Sequence, residues 1–254
     1  MTALSERRAS AEAVSALPET AVVLGARNLG GAIARDLLNG GVKVAGIART
    51  RESLGPVGQA GALTLQADAT DPRQLERAFG RAAHELGSLE LIVNAMSPAP
   101  RVADPETFGG GPVARWTGEG FDDWALAPAR LSFGAIASGT RALSEGGTFV
   151  QVVGAPARAP SPGRGLLSAG FAAVRTMTAA AAQELRASGI HVALLIVDGV
   201  IESPKTERMT REMPRNALVT QDDVAAAVRY LASQTTRGLT HELVITPSGA
   251  GWRP

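Results

Sequence analysis

The chain has 254 residues, of which 45% are hydrophobic and 19% charged, and its formal net charge at pH 7 is +1. This composition predicts one globular domain, and the interspersed charges exclude the basic patch that binding to nucleic acid or a membrane surface needs. The sequence has no cysteine, which excludes disulfides and thiolate chemistry, and no run of about 18 apolar residues that would predict a membrane span. We therefore expect a cytoplasmic protein with small-molecule partners; its excess of arginine over lysine is typical of G+C-rich bacterial genomes.

The predicted elements alternate between strands and helices along the chain. Residues 1–18 form a polar leader, partly disordered or helical and without the apolar core of a signal peptide, and residues 19–254 form a single domain. Short apolar runs predict strands at 21–24, 42–47, 63–67, 89–93, 148–153, 191–197 and 242–246. Helices are predicted at 32–38, after Asp71 with Gln74 reaching back to the helix start, at 121–143, at 166–186 and after Thr220.

Residues 97–120 are rich in glycine and proline and are predicted to form a long loop over the strand ends. Parallel neighbouring strands need crossover helices, which bury both faces of the sheet. The fold class predicted is therefore α/β: a single-domain Rossmann fold with a doubly wound seven-stranded parallel sheet flanked by helices.

A glycine-containing turn, GARNLGG at residues 25–31, lies between the first predicted strand and the first helix. At this place a dinucleotide-binding fold brings its backbone close to a pyrophosphate, and the helix N-terminus supplies N–H donors. The alternative interpretation is that any tight strand–helix corner in a parallel α/β protein favours glycine.

The ordered segments VVLGARNLGGAIA, Asp68, NAMS and VDGVIES resemble the short-chain dehydrogenase/reductase family. The resemblance runs from about Ala21 to Gly249 and departs at Leu24, which occupies the first glycine of the family's turn. It implies a nicotinamide cofactor and a homodimer or homotetramer paired through the helices at 121–143 and 166–186. The cofactor-binding residues that it implies are Gly25, Arg27, Asn28, Leu29, Gly30, Asp68, Ala69, Asn94, Ala95, Gly199, Ile201 and Ser203.

The end of the second strand indicates which nicotinamide cofactor is bound. Arg49, Thr50 and Arg51 lie there, and the acidic residue that would bind a free ribose 2′-hydroxyl is missing. Arginines suit a 2′-phosphate, so NADP(H) is favoured over NAD(H). If these residues form only a solvated basic loop, no preference follows.

The residues on which the family's usual acid–base chemistry depends are replaced in this chain. The family uses a tyrosine four residues before a lysine, but this chain has one tyrosine, Tyr230, and its lysines Lys43 and Lys205 do not follow it at that spacing. Alignment with the family places Leu167 at the tyrosine, Phe171 at the lysine, Gly154 at the serine and Pro128 at the asparagine. An alkoxide formed by hydride transfer would therefore lack its usual proton donor.

Other polar residues are weak candidates for chemistry. Ser97 and Asp198 are catalytic candidates because they follow predicted strands at the edge where ligands bind, as do Arg101, Glu202 and Ser203. An aspartate that only starts a turn is the alternative for Asp198. His84, His191 and His241 are interpreted as structural or surface residues, since no pair has metal-ligand spacing, and no metal site is predicted.

Three functions remain open from the sequence. The first is an atypical oxidoreductase of the short-chain type that uses NADP(H) on a small organic substrate and needs no tyrosine acid. The second is a catalytically inactive NADP(H)-binding protein, either a sensor or an inactive partner subunit. The third is a non-redox enzyme built on the same scaffold.

Overall fold

The structure, a computed structural model, describes residues 17–97 and 105–249. Its seven-stranded sheet has the strand order β3-β2-β1-β4-β5-β6-β9, and every neighbouring pair is parallel. These strands are β1 Thr20–Leu24, β2 Lys43–Ala48, β3 Leu63–Gln66, β4 Leu89–Asn94, β5 Leu143–Gly154, β6 His191–Val197 and β9 Glu242–Ile245. The predicted fold class is therefore confirmed, since each strand predicted from an apolar run is present.

Helices cover both faces of this sheet. They are α1 Leu29–Asn39, α2 Arg51–Gln59, α3 Pro72–Leu86, α4 Gly118–Phe121, α5 Ala127–Ala142, α6 Gly165–Glu184, α7 Glu207–Thr210 and α8 Gln221–Ala232. One apolar core cluster joins the sheet to α1, α2 and α8, and a second joins the opposite face to α3, α5 and α6. Burial on both faces explains why the central strands are continuous apolar runs without polar alternation.

Several details differ from the sequence-based predictions. Helix α2 was not predicted, because its short sequence RESLGPVGQ combines two glycines with an internal proline. Within the predicted loop, short 3₁₀ turns span Pro105–Gly110 and Val113–Arg115. Strand β5 begins before its predicted start, at Leu143, and a small two-stranded sheet pairs β7, Val200–Ile201, with β8, Leu218–Val219. Residues 1–16 of the predicted leader and the candidate Arg101 lie outside the described residues.

Capping side chains fix the starts of several helices, among them α3 and α8. Asp71 accepts hydrogen bonds from the backbone N–H groups of Arg73 and Gln74, as predicted. The Gln74 side chain reaches back further than expected, because its Oε1 accepts a hydrogen bond from the backbone N of Asp68 at 3.1 Å. Thr220 and Asp223 form a reciprocal capping box at the start of α8. The α3 cap thus also positions the turn that follows β3.

Helix α6 is, among the described residues, the one helix long and apolar enough to cross a membrane. One such helix is weak evidence for a span, because a core helix has the same composition. Val174, Ala181 and Ala182 of α6 are buried in the core clusters against the sheet. We therefore interpret α6 as a packed helix of the α/β fold.

Candidate cofactor and substrate site

A cleft of about 2130 Å³ lies across the carboxyl ends of the parallel strands. It is lined by residues that follow β1, β2, β3, β4, β5 and β6. Pockets for one small ligand usually occupy about 300–1,000 Å³, so this cleft is large enough for a dinucleotide and a second molecule. The carboxyl edge of the sheet is where open α/β folds bind ligands.

The glycine turn lines the cleft after β1, between the ends of β2 and β4. Gly25 has φ +81°, a backbone conformation that residues with a Cβ rarely adopt, and its N–H donates to the Ile47 carbonyl at 2.9 Å. A Cβ added at Gly30 would stand 2.5 Å from the Gly25 carbonyl oxygen, so the turn closes only around glycine. Asn28 precedes α1 and makes no side-chain cap, which leaves the first N–H groups of α1 for a ligand.

Leu24 departs from the family pattern without filling the turn. Its side chain is fully buried in the core cluster that also contains Val22 and Ile47, on the side of β1 away from α1. Its carbonyl accepts a hydrogen bond from the Ala95 N–H at 3.1 Å, so this residue ends the strand ladder and the turn begins at Gly25. The geometry of the turn therefore fits a phosphate group.

At the end of β2, Arg49 and Thr50 line the cleft, whereas Arg51 starts α2 and does not. Thr50 caps α2 by accepting a hydrogen bond from the Ser53 N–H at 3.3 Å. Gln66 on the neighbouring strand donates to the Arg49 carbonyl at 3.0 Å and so holds the backbone of that turn. Of the two arginines predicted to meet a 2′-phosphate, Arg49 is thus the better placed.

Asp68 and Asn94 have different environments after β3 and on β4. Asp68 and Ala69 line the cleft, and Oδ1 of Asp68 accepts hydrogen bonds from Thr70 N at 2.9 Å and Thr70 Oγ1 at 2.8 Å. Asn94 is buried under the cleft floor, where it donates to Gln151 Oε1 at 2.8 Å and accepts from the Met96 N–H. Asn94 therefore shapes the floor next to Ala95, which does line the cleft.

Three of the four aligned catalytic positions lie together in the part of the cleft that follows β5. Gly154, Leu167 and Phe171 line it together, and a Cβ built on Gly154 would stand 3.3 Å from the ring of Phe171. Pro128 is buried away from the cleft and packs on Gly170 of α6. Neither an aliphatic nor an aromatic hydrocarbon side chain can exchange a proton.

These residues belong to an apolar slot, which we define as Phe108, Trp124, Leu167 and Phe171. Trp124 and Leu167 are buried in one cluster with Phe171 packed against it, and the rings of Phe108 and Trp124 meet edge to face at 4.8 Å. The guanidinium of Arg164 lies 5.3 Å from the centre of the Phe108 ring. Sequence reasoning missed Phe108 and Trp124, because both lie in a segment whose course only the folded chain reveals.

The segment after β6 forms another wall of the cleft. The predicted residues Asp198, Gly199, Ile201 and Ser203 line the cleft there, and so does Ser97 after β4. The carboxylate of Asp198 accepts one long hydrogen bond, from Thr246 Oγ1 at 3.5 Å. Such a weak contact is compatible with a turn residue as well as with a catalytic one. Glu202 is exposed and is not part of the lining.

Positive charge prevails in the cleft. Seven cationic and five acidic side chains line it. Lys205, which sequence reasoning did not assign to the site, is one of these cations. The pKa of Lys205 is lowered because the surrounding protein removes water from its ammonium group and because the charge of Arg27 lies nearby. An excess of positive charge suits a ligand that carries several phosphate charges.

The histidines lie away from this site. His191 is buried at the start of β6, where Nε2 contacts the Thr240 carbonyl at 3.0 Å and the ring stands 6.0 Å from that of His241. His84 is exposed on α3. Within residues 17–97 and 105–249, no three histidine, aspartate or glutamate side chains are grouped so that they could hold a metal ion.

Comparison with known families gives a match over nearly the whole chain. The model of the family described as enoyl-(acyl carrier protein) reductase matches residues 23–250. No curated protein sequence matches significantly.

Three solved structures illustrate the likeness. A dehydrogenase/reductase from Sinorhizobium meliloti 1021 is 26% identical, with 94% of this chain and 98% of that chain covered and a TM-score of 0.75. A short chain dehydrogenase from Burkholderia cenocepacia J2315 in complex with NADP is 26% identical, with 91% and 98% covered and a TM-score of 0.74. An NADPH-bound short chain oxidoreductase from Pseudomonas aeruginosa PAO1, containing an atypical catalytic center, is 22% identical, with 92% and 98% covered and a TM-score of 0.75, and shares the fold.

Proposed function

The chain belongs to the short-chain dehydrogenase/reductase family, and we propose that it is an NADP(H)-dependent oxidoreductase that works without the family's tyrosine–lysine acid–base pair. The observation that carries the proposal is one continuous cleft that contains both the phosphate-type glycine turn and the apolar slot. The solved relative from Burkholderia cenocepacia, with its NADP complex, supports the choice of cofactor.

The preference for NADP(H) rests on the turn after β2. Arg49 lines the cleft beside the N-terminus of α2, and no acidic side chain stands at the end of β2 itself. A guanidinium binds a phosphate dianion through charge-assisted hydrogen bonds, whereas a ribose 2′-hydroxyl offers it little. Ser53 and Thr50, which face the same part of the cleft, add hydroxyl groups that can donate to that phosphate.

The apolar slot restricts the substrates. The chemistry that a bound nicotinamide supplies is hydride transfer. A ketone reduced in this slot would become an alkoxide with no proton donor at the positions of Leu167 and Phe171. Hydride addition to the carbon of an iminium ion moves the C=N electron pair to nitrogen and needs no proton. Addition to a conjugated C=C leaves a carbanion that water can protonate.

The aromatic side chains favour the first of these acceptors. Trp124, Phe108 and Phe171 present ring surfaces to the slot, and aromatic faces attract cations by about 0.5–2 kcal/mol. Phe108 already holds the Arg164 cation in this manner. We therefore propose small organic cations, or conjugated molecules of similar size, as the substrate class.

A catalytically inactive NADP(H)-binding protein, acting as a sensor or as a partner subunit, is the second candidate. The observation that favours it is that Leu167, Phe171, Gly154 and Pro128 all lack an ionisable group. We also propose that the protein is cytoplasmic and assembles into a homodimer or homotetramer, which is compatible with either function.

The experiment that separates the two candidates measures NADPH oxidation with three substrate classes: a preformed cyclic iminium salt, an activated enone and a simple ketone. If the protein is an oxidoreductase of this kind, we expect turnover with the iminium salt or the enone and no turnover above background with the ketone. NADPH binding without turnover of any substrate would favour the inactive binding protein. The variant Leu167→Trp, which narrows the slot but lies away from the phosphate turn, is expected to abolish turnover and leave NADPH binding intact.

A further inference from the structure

Two cationic side chains, Arg27 and Lys205, line the same cleft. Arg27 belongs to the glycine turn between β1 and α1, and Lys205 belongs to the segment between β7 and α7. Burial lowers the pKa of Lys205, and the positive charge of Arg27 lowers it further. Two positive charges that share a partly desolvated cleft repel each other.

Neither cation has an anionic partner within the described part of the chain. Three ion pairs between described side chains lie outside the cleft and involve neither cation. They join Arg141 to Glu76, Arg175 to Glu242 and Arg229 to Asp36. The repulsion between Arg27 and Lys205 is therefore not offset by an ion pair with any carboxylate in residues 17–97 and 105–249. A bound anion between them would offset it and would gain hydrogen bonds from both sides.

The backbone around each cation is well defined. Arg27 N donates to the Gly25 carbonyl at 2.8 Å, inside the turn that also presents the uncapped N-terminus of α1. On another wall, Thr206 Oγ1 donates to the Ile201 carbonyl and accepts from the Ser203 N–H at 3.0 Å, so the turn carrying Lys205 is tied to β7. Lys205 is thus presented to the cleft by a fixed turn.

We propose that Arg27 and Lys205 bind the pyrophosphate of the dinucleotide from two walls of the cleft, so that the segment 198–210 is fastened over the cofactor. This inference rests on the proposed function, since it requires a dinucleotide in the cleft. The 2′-phosphate is assigned to Arg49, which stands after β2, so the pair should act on the part of the cofactor that NADPH and NADH share.

Binding titrations by nicotinamide fluorescence test the proposal in the variants Arg27→Ala, Lys205→Ala and Lys205→Arg. Each alanine variant is expected to raise the Kd by about tenfold or more, and by the same factor for NADPH and NADH, because a charged hydrogen bond to the shared pyrophosphate is lost. Lys205→Arg keeps the charge and should recover most of the affinity. Lys43→Ala changes the only other lysine, which is exposed at the start of β2 outside the cleft, and should leave both Kd values unchanged.

A second measurement does not depend on the folding of a variant. Lysyl endopeptidase cleaves after lysine and not after arginine, and NADPH at saturation should protect the Lys205–Thr206 bond of the wild-type protein while pyrophosphate alone protects it partly. Unchanged cleavage at Lys205 in the presence of NADPH would contradict the proposed binding of the pyrophosphate by Arg27 and Lys205. A Lys205→Ala variant that binds both cofactors normally would contradict it too. A loss confined to NADPH would move the contact to the 2′-phosphate and overturn it as well. If the wild-type protein binds neither cofactor, the proposed function itself fails.

Discussion

The ring of Phe171 covers Gly154 so closely that a Cβ on that glycine would stand 3.3 Å from the ring. The resemblance to the family places a catalytic lysine and a serine at these two positions, and here an aromatic ring and the absence of a side chain fit each other. Leu167, one helical turn before Phe171 on α6, lines the same surface. The substitutions are therefore mutually adapted and form one apolar surface.

This adaptation predicts how the acid–base pair can be rebuilt. The wild-type protein should not reduce ordinary ketones, because general acid–base help of roughly 10²–10⁴-fold is absent. Leu167→Tyr with Phe171→Lys restores the spacing, and adding Gly154→Ser becomes possible because the ring that crowds Gly154 has gone. We expect the triple variant to gain measurable, pH-dependent ketone reduction, assayed as NADPH oxidation.

Gly154→Ser alone is the matched control for this design. Its Cβ meets the Phe171 ring, so we expect a lowered melting temperature and no gain in activity. Robust ketone reduction by the unmodified protein, insensitive to Asp198→Asn and Ser97→Ala, would show that the reaction takes place elsewhere.

The glycine turn makes a prediction about both stability and binding. Gly30→Ala puts a Cβ 2.5 Å from the Gly25 carbonyl oxygen. Because that oxygen belongs to the backbone and cannot move aside as a flexible side chain would, the turn must distort. We expect a lower melting temperature and weaker binding of NADPH and NADH alike. Gly80→Ala is the control, because nothing stands within 4 Å of its added Cβ on α3 and alanine favours a helix by about 0.5–1 kcal/mol. A Gly30→Ala variant with normal melting and binding would contradict the geometry of the turn.

His191 predicts a pH dependence of stability. Burial lowers the pKa of His191 below its ordinary 6.5, and the nearby His241 lowers it further, while the Thr240 carbonyl opposes the shift. The unfolded chain therefore takes up a proton at a higher pH than the folded chain does, so stability should fall as the pH drops below about 6.5. Urea unfolding between about pH 5 and about pH 8 measures how the free energy of unfolding changes with pH. His191→Phe should flatten this dependence and exposed His84→Gln should not; identical profiles for both variants would contradict the assignment.

Exposed apolar side chains predict an assembly. Phe133 on α5 is 58% exposed, and α6 presents the exposed small side chains Ala172, Ala179 and Ala180. Small residues allow close approach of a second helix without loss of helix propensity. We expect a dimer or tetramer by light scattering at micromolar concentration and a shift toward monomer in Phe133→Glu. If the wild-type protein is a monomer, the prediction is wrong, and Phe133 and the exposed alanines of α6 are ordinary surface residues.

The sequence predicted the sheet well because the central strands β1, β4, β5 and β6 are runs of mostly buried apolar residues, and the less buried edge strands β3 and β9 still contain apolar residues. The resemblance placed Gly154, Leu167, Phe171 and Pro128 at the family's catalytic positions; the first three line one part of the cleft and Pro128 does not, and only the folded chain shows how Phe171 and Gly154 fit each other. The role of Lys205 could not be read from the sequence, because its approach to Arg27 depends on the fold of the segment after β6 and not on spacing. The different exposure of Arg49 and Arg51 to the cleft likewise depends on where α2 begins, and that helix has weak sequence signals.

A fluorescence titration of the wild-type protein with NADPH and with NADH measures whether the cleft binds a dinucleotide and whether it prefers the 2′-phosphate. We expect NADPH to bind more tightly by about tenfold or more, because Arg49 lines the cleft after β2 and its proposed charged contact is with the 2′-phosphate, which NADH lacks. Arg49→Ala should remove most of this difference, whereas Arg51→Ala, outside the cleft lining, should remove little. Equal affinities of the wild-type protein for the two cofactors, or an undiminished preference in Arg49→Ala, would contradict the account.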